Sequence, residues 1–351
     1  MGVASAPAAG ADLLARLSDV CDQRGLDGLA ERLRALGEGV AHDMAATEAA
    51  LGLLPRGASL VHKSATHLLD LGGKRLRPLC VALAARCGRG YDAAARELAV
   101  AVELVHTATL LHDDVVDLGA VRRNVATARV VYGNAASIFA GDWLLVEALR
   151  RVRVADVPGA LDRLLGVIEE MIFAESLQLE ARGRLTGGRP EWLRVVEGKT
   201  AALFRWAMWA GARAGGLGEY ECAALEAYGR HLGVAFQVID DVLDFAGDPA
   251  VTGKALLTDL AEGKLTYPLI VALEREPGLR ALLEAVLAGD GVVEAGARVV
   301  AVLRATGAID AGRALAEERA HQAAACLGVL PAGRARQDLE TIAEATVRRD
   351  K

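Results

Sequence analysis

Two apolar runs of this chain each lead into three aspartates at the same spacing, and few folds can accommodate that. The first is Thr109-Leu110-Leu111-His112 before Asp113-Asp114-Val115-Val116-Asp117. The second is Phe236-Gln237-Val238-Ile239 before Asp240-Asp241-Val242-Leu243-Asp244. Carboxylates in apolar helical surroundings are costly to ionise unless something cationic compensates them. In a helix Asp113 and Asp117 lie one turn apart on one face, and Asp240 and Asp244 repeat that geometry. Like charges so placed repel and weaken an isolated helix. Hard oxygen donors at that spacing suit Mg²⁺, which keeps several waters and is usually completed by substrate phosphates. A solvated acidic helix face or a salt-bridged cluster explains one box as well as this does. Two boxes, each flanked by apolar residues, are better explained by a shared set of divalent cations.

The rest of the chain is written for helices. Apolar residues make up 53% and aromatic residues only 4%, and Ala, Leu, Val, Glu and Arg dominate, a mixture that loses little side-chain entropy in a helix. Apolar positions recur three and four apart, punctuated by Gly or Pro near residues 72, 88, 158, 187, 215, 247 and 277, and no run alternates as a strand would. Residues 1–10 are Ala/Gly/Pro-rich and expected to be disordered; residues 11–50 read as helical. This divides the chain into an N-terminal extension, 1–50, and a main body, 51–351, expected to be one all-α domain with both boxes facing a central cavity. The net charge of -6 argues against nucleic-acid binding. Five cysteines without paired metal spacing fit reduced thiols in a cytoplasmic protein. The apolar stretch 98–111 contains Glu103 and His106 and is shorter than the roughly 20 residues that span a bilayer.

Basic residues flank the boxes. Gly72-Gly73-Lys74-Arg75-Leu76-Arg77-Pro78 is a Gly turn leading into a cationic helix start, where backbone N–H groups with Lys74 and Arg77 would make an anion site. Arg122-Arg123 follow the first box, and Lys254 and Lys264 follow the second. Arg gives bidentate contacts to phosphate oxygens, while Lys acts as a point charge. Any one such pair alone reads equally as surface charge. His106, seven residues before Asp113, shares its helical face and is either a core histidine or a donor to a second phosphate group. His112 points elsewhere and reads as structural.

Together these residues resemble the trans-isoprenyl diphosphate synthases, or polyprenyl synthetases, from about Gly57 onward. Gly73-Lys74-Arg75-Leu76-Arg77-Pro78 is similar to the family's G-K-x-x-R-P, and both aspartate boxes match its Asp-rich motifs. Gly141-Asp142, Lys199-Thr200, Phe236-Gln237, Gly253-Lys254 and Asp259-Leu260 with Gly263-Lys264 complete the pattern. The resemblance implies an isoprenoid synthase fold, a bundle of long helices around a deep cavity, and a homodimer. It implies a prenyltransferase that condenses isopentenyl diphosphate with an allylic diphosphate. Asp113, Asp114, Asp117, Asp240, Asp241 and Asp244 would hold three Mg²⁺ ions with substrate bound. Arg122, Lys199, Lys254 and Lys264 would stabilise the leaving diphosphate, and Thr200 and Gln237 would position the allylic partner. Lys74, Arg77, His106 and Arg123 would hold isopentenyl diphosphate.

Two departures stand out: Leu118-Gly119-Ala120-Val121 replaces a usual Glu-Ser, and Asn124 stands where Gly is usual. Asn tolerates left-handed backbone angles better than most residues. Upstream of the first box, Val105, Ala108 and Thr109 carry no bulky aromatic of the kind that floors the cavity in short-chain relatives. This favours a long-chain product, of the quinone side-chain class, released with the help of peripheral membrane contact. The alternatives are a short-chain farnesyl or geranylgeranyl diphosphate synthase and a class I terpene cyclase. Cyclases usually replace the second D-D-x-x-D and line their pocket with aromatics.

Overall fold

The computed structural model describes residues 9–246, 257–288 and 292–349. Lys254 and the expected disordered start, through residue 8, lie outside them. The chain forms two compact units: residues 1–165, 203–229 and 327–342 in the first, and 166–202, 230–326 and 343–351 in the second. Among the described residues both are helical, apart from a two-residue antiparallel ladder in the first unit.

The first unit is built around α5 (Ala93–Val116). Asp92 starts this helix by accepting the backbone N–H of Ala95 at 2.9 Å, an N-cap that satisfies an otherwise orphaned donor. Leu98 through Val105 are buried on every side, as a helix apolar all round must be. The helices α2 (Asp27–Gly52), α4 (Leu76–Arg86) and α7 (Asn134–Ala155) pack against it. The small residues Ser137, Ala140 and Gly141 are buried on α7, and Ser137 Oγ donates to the Leu111 carbonyl at 2.9 Å. In the same unit, a Cβ on Gly211 would meet the Val81 carbonyl oxygen at 2.3 Å, and one on Gly215 the Ala85 oxygen at 2.6 Å. Glycine there lets α4 approach the helix Ala202–Ala214 and its C-terminal end backbone to backbone. The sequence expectation for residues 11–50 corresponds to α1 (Ala9–Gln23) and α2. On α2, Leu33, Leu36, Val40 and Met44 are fully buried. Asp43 accepts from Arg86 Nε at 2.6 Å, and Thr47 bonds the Tyr91 hydroxyl at 2.5 Å.

The second unit holds most of α8 (Ala160–Ala181), α9 (Arg189–Val196) and the later part of α11 (Glu219–Ala246). Pro190 sits in the first turn of α9, where its missing N–H costs nothing. Between α9 and the next helix, Glu197–Ala201 form one π-helical turn. Helix Tyr267–Arg275 packs against α9 and against Ala308–Cys326. Gly312 on the latter lies under Val242 of α11, 2.6 Å from where its Cβ would stand. Among the described residues, no helix is long and apolar enough to cross a membrane.

Candidate active site

Helical register treats the three aspartates of each box unequally. Asp113 and Asp117 are half-buried, as are Asp240 and Asp244, while Asp114 and Asp241 are 3% and 2% exposed. The first and last residues of D-D-x-x-D share a face; the middle one lies about 100° round the helix. All six are expected as metal ligands; the two middle carboxylates are the buried ones, and each accepts hydrogen bonds inside the protein.

Asp114 meets Arg122, whose Nε and Nη2 lie 2.9 and 2.8 Å from its Oδ1. The chain returns Arg122 there through a tight hairpin. Val121 pairs with Ala126 and Arg122 with Val125, and the two connecting residues, Arg123 (φ 52°) and Asn124 (φ 61°), are both left-handed. That is the two-residue turn whose twist suits a hairpin. Asn124 therefore serves where Gly is usual. The His112 ring lies against Gly141: a Cβ there would stand 2.3 Å from Nε2. Its Nε2 is 3.3 Å from Asp142 Oδ1 and 3.2 Å from the Ile138 carbonyl. Gly141-Asp142 thus buttresses the end of α5.

The cations before and after this box converge. His106 is held neutral: burial pushes its pKa well below the usual histidine range, and Arg77, Arg123, Arg122 and Arg75 push the same way. Arg77 stacks on Phe204, 4.6 Å from the ring centroid. Gly73 lies between two guanidiniums, its missing Cβ 3.1 Å from Arg123 Nη2 and 3.3 Å from Arg75 Nη1. Lys74 stands between Gly73 and Arg75. Val105 and Ala108 are buried and Thr109 half-buried on α5, with Thr109 Oγ1 donating to the His106 carbonyl at 2.8 Å.

Around the second box lies a cavity of about 140 Å³ lined by Gln178, Arg184, Lys199, Thr200, Gln237, Asp241, Asp259 and Lys264, with Trp192 and Ile270 among its apolar walls. The π-helical turn carries Lys199 and Thr200 into it; such turns are frequent at functional sites. Thr200 Oγ1 donates to Gln237 Oε1 at 2.9 Å, and Gln237 Nε2 donates to Asp241 Oδ1 at 2.9 Å. Asp241 Oδ2 also accepts from Trp192 Nε1 at 2.9 Å and from the Tyr267 N–H at 3.2 Å. Burial, then the charge of Asp259, pushes Asp241 up to about 7 against these three donors. Lys199 donates to Gln178 at 2.9 Å and pairs with Glu175. Lys264 donates to Glu262 at 2.6 Å. Asp244 accepts from the N–H groups of Thr258 and Asp259 at 3.1 and 3.4 Å, holding the start of helix Thr258–Ala261.

The chain matches the polyprenyl synthetase family model over residues 58–303. It belongs to the polyprenyl synthetase family. It is 36% identical over 325 residues to the octaprenyl diphosphate synthase of Escherichia coli (strain K12), covering 91% of this chain and 99% of that one. A crystal structure of a decaprenyl diphosphate synthase from Rhodobacter capsulatus superposes with a TM-score of 0.83 at 35% identity, covering 90% and 99% of the two chains. A polyprenyl synthase from Caulobacter crescentus CB15, complexed with calcium and isoprenyl diphosphate, gives 0.82 at 33% identity, with 97% and 98% covered. The expected all-α isoprenoid synthase fold and prenyltransferase class hold for this polyprenyl synthetase.

The family uses Mg²⁺, and the donor set fits it. Asp113, Asp117, Asp240 and Asp244 offer only hard carboxylate oxygens. Mg²⁺ takes such donors together with water and phosphate oxygens.

Sequence reasoning missed three parts of the site. Arg349 reaches Asp240 Oδ1 at 2.6 Å, bonds the Phe236 carbonyl and stacks 3.9 Å from the Phe236 centroid. Trp192 and Arg184 line the cavity. Arg75, quoted in the motif but given no role, is buried between Glu48 and Glu103 at 2.7 and 2.5 Å. Each contact spans tens of residues, and no local pattern marks it; only the paired Arg348-Arg349 near the end hinted at an anion partner.

Proposed function

We propose that this polyprenyl synthetase elongates an allylic diphosphate with isopentenyl diphosphate, in trans and repeatedly, to a long-chain polyprenyl diphosphate. One observation carries the reading: two chemically different anion sites. Around His106 arginines predominate: Arg77, Arg122, Arg123 and Arg75 all act on the imidazole, with the buried Glu103 and Asp114 as their partners. At the second box Lys199 and Lys264 line one cavity together with Asp241 and Asp259. An enzyme that only ionises one diphosphate, such as a class I cyclase, has no use for the first.

Mg²⁺ bound at Asp113, Asp117, Asp240 and Asp244, three ions with substrate present, would supply Lewis-acid stabilisation of the departing diphosphate. Arg122, Lys199, Lys254 and Lys264 would add positive charge, which counts most where charge develops in the transition state. Thr200 and Gln237, joined by their mutual hydrogen bond, would position the allylic partner. Lys74, Arg77, Arg123 and neutral His106 grip the isopentenyl diphosphate and orient its double bond. The C–O bond to the allylic diphosphate breaks, a C–C bond forms, and the isopentenyl unit loses one proton to the released diphosphate. No side-chain nucleophile is needed.

Val105, Ala108 and Thr109 leave α5 without an aromatic before the box, which supports a long product, as do the octaprenyl and decaprenyl products named for the relatives. Exposed Ile138, Phe139 and Val146 on α7, and Ile172, Phe173 and Leu179 on α8, fit a second copy of this chain in a homodimer. The protein would work in the cytoplasm with peripheral membrane contact for product release. The test incubates purified protein with Mg²⁺, labelled isopentenyl diphosphate and farnesyl diphosphate. A ladder ending at one long size supports the reading; products stopping at C15 or C20 would make it a short-chain enzyme. Sedimentation of the same sample reads the oligomer.

A further inference from the structure

Arg75 is the least expected residue in the first unit. Its backbone is left-handed (φ 50°, ψ 29°), which strains a residue with a side chain. Its guanidinium is buried, which costs more unless fully paired. Both costs are met by two carboxylates: Nε donates to Glu48 Oε1 at 2.7 Å and Nη1 to Glu103 Oε1 at 2.5 Å. Glu48 comes from α2 and Glu103 from the middle of α5. Glu103 is buried, and Glu48 is half-buried. A Gly at 75 would adopt this backbone without strain, and an apolar side chain would fill the space without a buried charge. Neither would tie the helix start to two other helices.

What Arg75 holds in place is a cationic segment. Lys74 lies between Gly73 and Arg75, and Arg77 follows two residues on. Gly72 is also left-handed (φ 68°), so Lys74 stands between two fixed turns. The Arg75 carbonyl accepts the Leu79 N–H at 3.0 Å, opening α4. Backbone strain sustained by a surrounding network is characteristic of sites where geometry must be preset.

We infer that Glu48, on the helix that precedes the family-matched region, is a positioning residue for the homoallylic diphosphate. It acts through Arg75, fixing the segment that carries Lys74 and Arg77. This rests on the assignment of Lys74 and Arg77 to isopentenyl diphosphate. Net charge supports it as well: two carboxylates on one guanidinium leave a negative balance that offsets the crowding of Arg77, Arg122 and Arg123.

The test is steady-state kinetics of Glu48→Gln, which keeps the side chain's size and one acceptor but removes its charge. The KM for isopentenyl diphosphate should rise about tenfold, as for one lost charged hydrogen bond. kcat and the KM for the allylic substrate should stay within about twofold, the split that marks lost ground-state binding. Adding Arg75→Gln should then raise the isopentenyl KM little further, because the two act as one unit. Arg77→Gln is the control. If it raises the isopentenyl KM while Glu48→Gln does not, the inference fails and the site assignment stands. If neither moves it, the assignment itself fails. Both KM values rising together, with a lower melting temperature, would make Glu48 merely structural and also overturn the inference.

Discussion

The two aspartate boxes are written alike and stabilised differently. In the first, the buried Asp114 is met by a cation, Arg122, at 2.8 and 2.9 Å. In the second, the buried Asp241 is met, among the described residues, by neutral donors from Trp192, Gln237 and Tyr267. The second box's cation, Arg349, goes instead to the half-exposed Asp240. The difference begins four residues before each box. Thr109 precedes the first and Phe236 the second, and the Phe236 ring is the platform on which Arg349 stacks. One motif therefore yields a charge-paired middle carboxylate on α5 and, on α11, one that burial pushes up from the usual carboxylate range. Identical spacing fixes which faces the aspartates occupy; the neighbours decide what each can do.

The largest expected effect separates the middle aspartates. Arg122→Met strands a buried carboxylate and should destabilise the protein by about 3 kcal/mol, read as a lower urea midpoint with an unchanged slope. Asp241→Asn should cost less than about 1 kcal/mol. Gln237 can flip its amide, giving Oε1 to the new Asn and Nε2 to Thr200 Oγ1, while Trp192 and Tyr267 keep an oxygen acceptor. If the two variants lose equal stability, the contrast between charged and neutral support is wrong.

A pH titration sharpens the same contrast. Asp241 is raised from 3.8 to about 7, so the folded metal-free protein binds a proton there that the unfolded chain has released. Its contribution is fully present below about pH 4 and is lost as pH rises to about 7. In metal-free buffer, wild-type stability should carry this downward component across that window, and Asp241→Asn should remove it. Superimposable pH profiles for the two proteins would rule out the raised pKa.

Much of this was legible beforehand. Helices could be read from the three-and-four spacing, and the candidate site residues from motifs whose members are close in sequence. The 3.6-residue period, applied to D-D-x-x-D, already implies that Asp114 and Asp241 leave the face shared by their neighbours. What escaped was long-range or backbone-encoded. Arg349 and Asp240 are 109 residues apart, and Glu48 and Arg75 are 27 apart. The π-helical turn at Glu197–Ala201 depends on how α9 packs, which no local propensity reports. The hairpin was partly foreseeable, since Asn124 signalled a left-handed position, but nothing marked Arg123 as the other.

The aromatic asymmetry before the boxes gives a further handle. Ala108→Phe places on α5 a ring of the kind α11 carries at Phe236. It should shorten the dominant product, with initial condensation retained within about threefold. Each C5 unit excluded forfeits up to about 4 kcal/mol of buried apolar surface. An unchanged product ladder would mean that the growing chain does not pass this side of α5.

The smallest effect isolates Arg349. Its guanidinium sits 2.6 Å from Asp240 Oδ1 and competes with any divalent cation for that oxygen. Asp240 is 40% exposed, so solvent screens the pair and its worth is at most about 1 kcal/mol. Arg349→Met keeps a long side chain over Phe236 and removes the charge. Mn²⁺, which like Mg²⁺ takes octahedral oxygen ligands, should then bind a few-fold more tightly, measured by electron paramagnetic resonance without substrate. The metal-free variant should melt slightly lower and regain its midpoint when Mn²⁺ is added, because the ion replaces the lost countercharge. The same experiment on Arg122→Lys is the comparison: Arg122 faces the inward carboxylate, so Mn²⁺ affinity there should not tighten. If both variants tighten alike, the cations of the two boxes play one role after all. If neither does, Arg349 is a structural partner of Asp240 and the metal approaches by the other oxygen.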